Sequence, residues 1–157
     1  VYQGVEGIQA QDKGVQLTLF NPSDYGVPDF YSPALITSEQ EIKDHPDIVR
    51  AFVAATAQGY TYAVQHPQES ANLLMQGAQA QGGTLFDTPQ VATDSQVFQS
   101  AHYIADAKCW GVQSLQTWTD FPRLLYHYGA LVDANGKPLA SEPDYSAMFT
   151  NAYLPAC

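Results

Sequence analysis

Tyr2 and Glu6 stand four residues apart, the spacing that puts two side chains on one face of a helix. An aromatic ring beside a carboxylate can stack on a flat ligand while the carboxylate accepts hydrogen bonds from the ligand's amino group. The same pair also reads as an ordinary solvated helix face. Tyr25, Phe30 and Tyr31 flank a turn-rich connector, where aromatics either line a cleft or plug the contact between elements.

Other chemistries find little support. His45 and His66 each precede a proline at a helix start, where an exposed, solvated histidine is ordinary. His102 and Cys109 are seven apart and could share a helix face, but no spaced zinc motif is present. There is no Gly-x-Ser-x-Gly, and Cys109 beside Trp110 reads as core rather than nucleophile. Gly4-Val5-Glu6-Gly7 and Gly82-Gly83 lack the spacing and the lysine of a phosphate loop. No metal and no cofactor is expected. Cys109 and Cys157 are too few for a disulfide scaffold, though they can pair in an oxidising compartment.

Charge narrows the partners. Sixteen acidic and six basic residues give a net charge of −10. Lys13, Lys43, Arg50, Lys108, Arg123 and Lys137 are scattered, whereas nucleic-acid binding needs clustered cations against phosphates. No nucleic-acid partner and no polybasic membrane anchor is expected. Hydrophobic residues make up 45% of 157, enough for a packed core in about one domain. No apolar run approaches the roughly 20 residues of a membrane helix. The chain starts at Val1 without an initiator Met or a signal segment, as a processed or cut piece would.

The elements that must hold these residues read as follows. Residues 3–13 form a short helix closed by Gly14. Val15–Phe20 alternates, with Val15, Leu17 and Leu19 on one face, and reads as a strand; Ser32–Thr37 reads as a second, buried one. Beyond residue 38 the pattern is helical. Three helices begin at Pro46, Pro67 and Pro89, each with proline at the first position, where its missing N–H is harmless. The first carries an apolar stripe of Ile48, Phe52, Ala55, Gly59 and Tyr62. The second carries Ala71, Leu74 and Met75, and breaks at the glycine end of Gln76–Gly83. The third offers Val91, Val97, Ala101 and Ile104. Trp118, Phe121, Leu125 and Tyr128 mark a fourth helix that starts or kinks at Pro122, and Asp144–Leu154 forms a short closing element. Two strands make a poor sheet, which implies strands supplied by another segment.

The run Asp24-Tyr25-Gly26-Val27-Pro28-Asp29-Phe30-Tyr31-Ser32-Pro33-Ala34-Leu35-Ile36-Thr37-Ser38 resembles the crossover segment of one solute-binding family. This is the thiamine-precursor (hydroxymethylpyrimidine)-binding family of ABC importers, relatives of fungal thiamine-pyrimidine synthase. The resemblance continues through Pro46–Tyr60, His66–Ala71, Trp110-Gly111 and Phe149–Pro155, and Val1–Ala10 resembles the helix before the crossover. It thus covers nearly the whole chain, through the order and spacing of motifs that are individually weak.

The resemblance implies an α/β fold, the C-terminal portion of a type II periplasmic-binding-protein fold, helix-rich with few strands. Residues 1–37 would end the second lobe and form the hinge crossover; residues 38–157 would be the C-terminal helical part of the first lobe. It implies extracytoplasmic capture of a pyrimidine, in the periplasm or lipid-anchored at the cell surface, and delivery to an ABC permease. The partners would be the missing N-terminal half of the same protein and, through apolar surface left uncovered, a second copy of the chain. Carried over onto this sequence, Tyr2 would stack on the aminopyrimidine and Glu6 would accept from its amine or a protonated ring nitrogen, with Tyr25 a further ligand-binding candidate. The synthase branch places a cysteine cluster where this chain has Val27-Pro28-Asp29-Phe30-Tyr31, which argues for a binder rather than an enzyme. The alternatives are pyrimidine synthase chemistry and binding of another small solute, such as a sulfonate.

Overall fold

The three proline starts and the serine and threonine caps decide where helices begin. The computed structural model describes residues 2–83, 86, 88–104 and 109–156. A π-helical turn, Gln3–Gly7, runs directly into α1 (Ile8–Asp12). Then follow α2 (Glu39–Asp44), α3 (Pro46–Gln65), α4 (Pro67–Ala80), α5 (Pro89–His102) and α6 (Leu115–His127), with 3₁₀ turns at Pro22–Tyr25 and Tyr145–Met148. Ser38, Thr88 and Ser114 each accept the backbone N–H three residues on, satisfying a donor that the first turn leaves open.

The stops are equally local. At the end of α1, Gly14 takes φ +70°. The Val15 N–H then reaches the Ala10 carbonyl at 2.8 Å and the Gly14 N–H reaches Gln11 at 2.9 Å, the paired bonds of a left-handed C-cap. Gly82 closes α4 in the same way, through Gly83 to Ala78 and Gly82 to Gln79. The expected ends at Gly14 and within 76–83 are therefore where the chain turns. Pro122 lies inside α6 rather than at its start, and Leu115 begins that helix under the Ser114 cap.

The chain divides into two units, Val1–Thr18 with Arg50–Gly111 and Pro155–Cys157, and Leu19–Val49 with Val112–Leu154. In the first, α4 packs against α5, and α5 also receives the π-helical turn and α1. Ala57, Ala71, Val91 and Ala92 are buried there, small side chains that let backbones approach closely. Ser95, Gln96 and Ser100 share the buried face of α5 and are all hydrogen-bonded. Ser100 donates to the Ala63 carbonyl at 2.7 Å, and Gln96 donates to Ser100 at 3.0 Å. Tyr60 stacks on Trp110 and meets Tyr103 edge-on, both at 4.7 Å. The side chains expected on the packed face of α5 at Val97 and Ala101 are instead exposed, because the face that meets α4 and the turn runs through residues 91, 92, 95, 96 and 100. Since α5 ends at His102, Cys109 does not share its face.

The second unit is held by aromatic contacts with α6. Phe30 stacks on Phe121 at 4.3 Å, and Trp118 lies between Tyr31 at 6.2 Å and Phe149 at 5.8 Å. The Ser114 N–H donates to the Tyr31 hydroxyl at 2.8 Å. Asn151 and Gln113 exchange two hydrogen bonds, 3.1 and 2.7 Å, tying the closing segment to the start of α6. Tyr145 is buried beneath Arg123, which pairs with Glu142 at 2.7 Å.

The two expected strands are not strands. Residues 15–20 and 32–37 take no regular secondary structure, with a bend at Pro33, and among the described residues the β pairing is one isolated bridge, Val132 to Pro138. Alternation can fix which side chains share a face, but a strand also needs a neighbour's N–H and C=O groups. Val15, Leu17, Leu19, Leu35 and Ile36 accordingly remain exposed, Ile36 at 93%. The stripe on α3 meets the same fate: Ile48 is 56% and Phe52 61% exposed. No described helix is long and apolar enough to cross a membrane.

Gly4 provides a test of the packing. A Cβ there would sit 2.8 Å from Phe98 Cδ1 and 2.9 Å from the Gln99 amide oxygen. Gly4→Ala is expected to destabilise the protein by about 1–3 kcal/mol through overpacking. Urea denaturation measures this, and an unchanged midpoint contradicts the contact.

Candidate functional site

Tyr2 and Glu6 are brought together by a cap rather than by a shared helix face. Tyr2 is the N-cap of the π-helical turn, with extended backbone (φ −86°, ψ 119°), and its N–H donates to Glu6 Oε2 at 2.8 Å. The Tyr2 carbonyl in turn accepts from Val5 at 3.1 Å and from Gly7 at 3.3 Å. Both side chains are exposed, the Tyr2 ring at 73%.

The hydrogen bonds set the charge of Glu6. Its own backbone N–H, and then that of Tyr2, hold the carboxyl below its ordinary value of 4.5. A carboxylate has about four lone-pair sites, so the backbone donors leave acceptor capacity for a ligand. An ionised acceptor held on the backbone of an exposed tyrosine is suited to a flat, amino-bearing ligand, with a charge-assisted bond from the carboxylate and stacking available from the ring.

The aromatics of the connector separate into two roles. Phe30 and Tyr31 pack on α6 and plug that contact. Tyr25 does not: it closes the 3₁₀ turn Pro22–Tyr25, which Asn21 caps by accepting from Ser23 N at 3.3 Å. Its ring is 69% exposed and lies 6.2 Å from Phe20. Tyr25 belongs to the second unit, Tyr2 and Glu6 to the first.

Two residues that sequence reasoning passed over anchor the turn. Ser95, 3% exposed, donates to the Gly4 carbonyl, and Gly4 itself lies against Phe98 and Gln99. The available signal was the alignment of Ser95 with Val91 and Ala92 on one α5 face. Elsewhere, His102 accounts for its own ring, with Nδ1 2.7 Å from the Phe98 carbonyl and the ring stacked on Phe98. Among the described residues no three His, Cys, Asp or Glu side chains are grouped to hold a metal. The pairing of Cys109 with Cys157 falls on a residue outside those described. In the second unit a cavity of about 440 Å³ is lined by Leu115, Thr119, Arg123, Glu142, Asp144 and Tyr145 among others. The Tyr145 hydroxyl is buried there beside Glu142, and burial, then the Glu142 charge, raises its pKa.

All three candidate residues lie in the stretch that comparison with known proteins identifies. Residues 1–70 match the family described as NMT1/THI5 like. The chain carries an NMT1/THI5-like segment. The formylaminopyrimidine-binding protein of Halalkalibacterium halodurans is 35% identical over 63 residues, 40% of this chain and 19% of the relative. The chain thus spans about a fifth of the curated relative it matches. The motifs at Trp110-Gly111 and Phe149–Pro155 lie beyond the NMT1/THI5-like match.

The cap fixes a pH dependence. A carboxyl held below 4.5 in the folded state stabilises the fold above that value, and loses this contribution as pH falls through its folded midpoint. NMR titration is expected to place the Glu6 midpoint below 4.5, and Glu6→Gln is expected to flatten the loss of stability on acidification. A midpoint at or above 4.5 contradicts the cap.

Proposed function

We propose that this protein is the solute-binding component of an ABC importer, capturing a thiamine-precursor pyrimidine outside the cytoplasm. The observation that carries this reading is an exposed Tyr2 whose backbone N–H is held by an ionised Glu6 carboxylate, in the NMT1/THI5-like segment. The relative's name, a formylaminopyrimidine-binding protein, supports the ligand class. Tyr2 stacks on the pyrimidine and Glu6 accepts from its exocyclic amine or protonated ring nitrogen; Tyr25, in its own unit, is a separate ligand-binding candidate. A carboxylate at this point suits an amino-bearing solute and repels a sulfonate.

The proposed architecture is the C-terminal portion of a type II periplasmic-binding fold. Residues 1–37 end one lobe and form the crossover, and residues 38–157 complete the other. A ligand touching both lobes favours the closed state, and closure signals loading to the permease. The apolar segments at 15–20 and 32–37, which pair with no described strand, support strands contributed by an N-terminal half of the same protein. The reading is of a binder, not a synthase: cysteine is absent from 27–31, where the synthase branch carries its cluster.

Calorimetry of the protein with 4-amino-5-hydroxymethyl-2-methylpyrimidine and its formylamino analogue tests the reading. Glu6→Gln is expected to weaken binding by about 1.5–3 kcal/mol, the worth of a hydrogen bond to a charged group. Wild-type protein that binds neither compound overturns the ligand class. Separately, the exposed apolar residues Val15, Leu17, Leu19, Ile36 and Phe52 lead us to expect self-association of the 157-residue chain. Light scattering that reports a monomer contradicts it.

A further inference from the structure

A hydrogen bond reaches the candidate site from 91 residues away. Ser95 lies mid-helix in α5, where a serine or threonine hydroxyl ordinarily bonds back to the carbonyl four residues earlier. Thr93, on the same helix, does so, donating to the Pro89 carbonyl at 3.0 Å. The Ser95 hydroxyl instead donates to the Gly4 carbonyl.

The turn it reaches has an uncommon form. π-Helical geometry occurs mostly as single turns, often at functional sites. Here the Gly7 N–H reaches the Tyr2 carbonyl, five residues back. In an α-helix the Glu6 N–H would take that carbonyl. In this turn the Gly7 N–H takes that carbonyl instead, and the Glu6 carboxylate curls back to accept from the Tyr2 N–H. The geometry of the carboxylate therefore depends on the turn staying π-helical. Gly4 makes the anchoring possible, since a Cβ at that position would strike Phe98.

We propose that Ser95 is a positioning residue for the candidate site: by holding the Gly4 carbonyl, it keeps residues 3–7 in the π-helical turn that sets Glu6 against Tyr2. This rests on the reading above only for the identity of the ligand that the turn presents to. Without the Ser95 bond the turn relaxes toward α-helical register, the Glu6 N–H competes for the Tyr2 carbonyl, and the carboxylate leaves its cap.

Amide hydrogen exchange by NMR tests the anchor, and calorimetry with 4-amino-5-hydroxymethyl-2-methylpyrimidine tests its consequence. In Ser95→Ala, exchange at Gly7 is expected to quicken by roughly threefold to tenfold, the loss of one ordinary hydrogen bond, while α4 amides keep their rates. Pyrimidine affinity is expected to fall by a similar factor. Thr93→Ala removes a hydroxyl from the same helix and is expected to change neither. Unchanged Gly7 exchange in Ser95→Ala, equal changes in Thr93→Ala, or quickened exchange with undiminished affinity each overturns the proposal. If the wild-type protein binds no pyrimidine, the functional reading fails, and the Gly7 exchange still decides whether Ser95 holds the turn.

Discussion

Every backbone N–H and C=O that leaves water needs a partner, and in this chain the described partners are nearly all local. Helices meet that requirement within themselves, and their ends are met by Ser38, Thr88 and Ser114 at the start and by glycines such as Gly14 and Gly82 at the stop. Extended segments cannot do the same. Residues 15–20 and 32–37 have the composition of strands but no ladder to join, and their apolar side chains stay in water. The architecture follows from this asymmetry: helices that close on themselves, and apolar segments of strand-like sequence that find no ladder.

The same constraint explains the candidate site. The first residues of a helix leave N–H groups open, and Glu6 serves the one on Tyr2. A cap that answers a folding requirement thereby fixes an ionised carboxylate on the backbone of an exposed tyrosine. The turn that carries both is not self-sufficient, because its Gly4 carbonyl takes a hydroxyl from α5 and its Gly4 backbone lies flush against Phe98. Local capping and one long-range contact together give the site its shape.

Helix starts were legible because they rest on residue chemistry next door: Pro46, Pro67 and Pro89 begin α3, α4 and α5 as their ring geometry requires. The ends near Gly14 and Gly82 were legible for the same reason. Strand formation at 15–20 was not, because alternation says nothing about whether a neighbouring strand is present. The buried face of α5 was misjudged at Val97, since the packed side is chosen by α4 and the Gly4 turn rather than by hydrophobicity alone. Tyr2 and Glu6 were legible as a pair from their spacing, whereas their contact through a cap in a π-helical turn depends on Ser95, 91 residues away. The roles of Phe30 and Tyr31 stayed open until their packing on α6 made them plugs.

On the proposed reading, the Tyr2–Glu6 cap is a recognition surface for an amino-bearing pyrimidine. The most direct measurement is an NMR titration of isotopically labelled protein with 4-amino-5-hydroxymethyl-2-methylpyrimidine, following backbone amides and the Glu6 carboxyl carbon. Saturable shifts centred on Tyr2, Glu6 and Gly7 are the predicted result. Shifts confined to the Arg123–Glu142–Tyr145 cavity, or none at millimolar ligand, would contradict it.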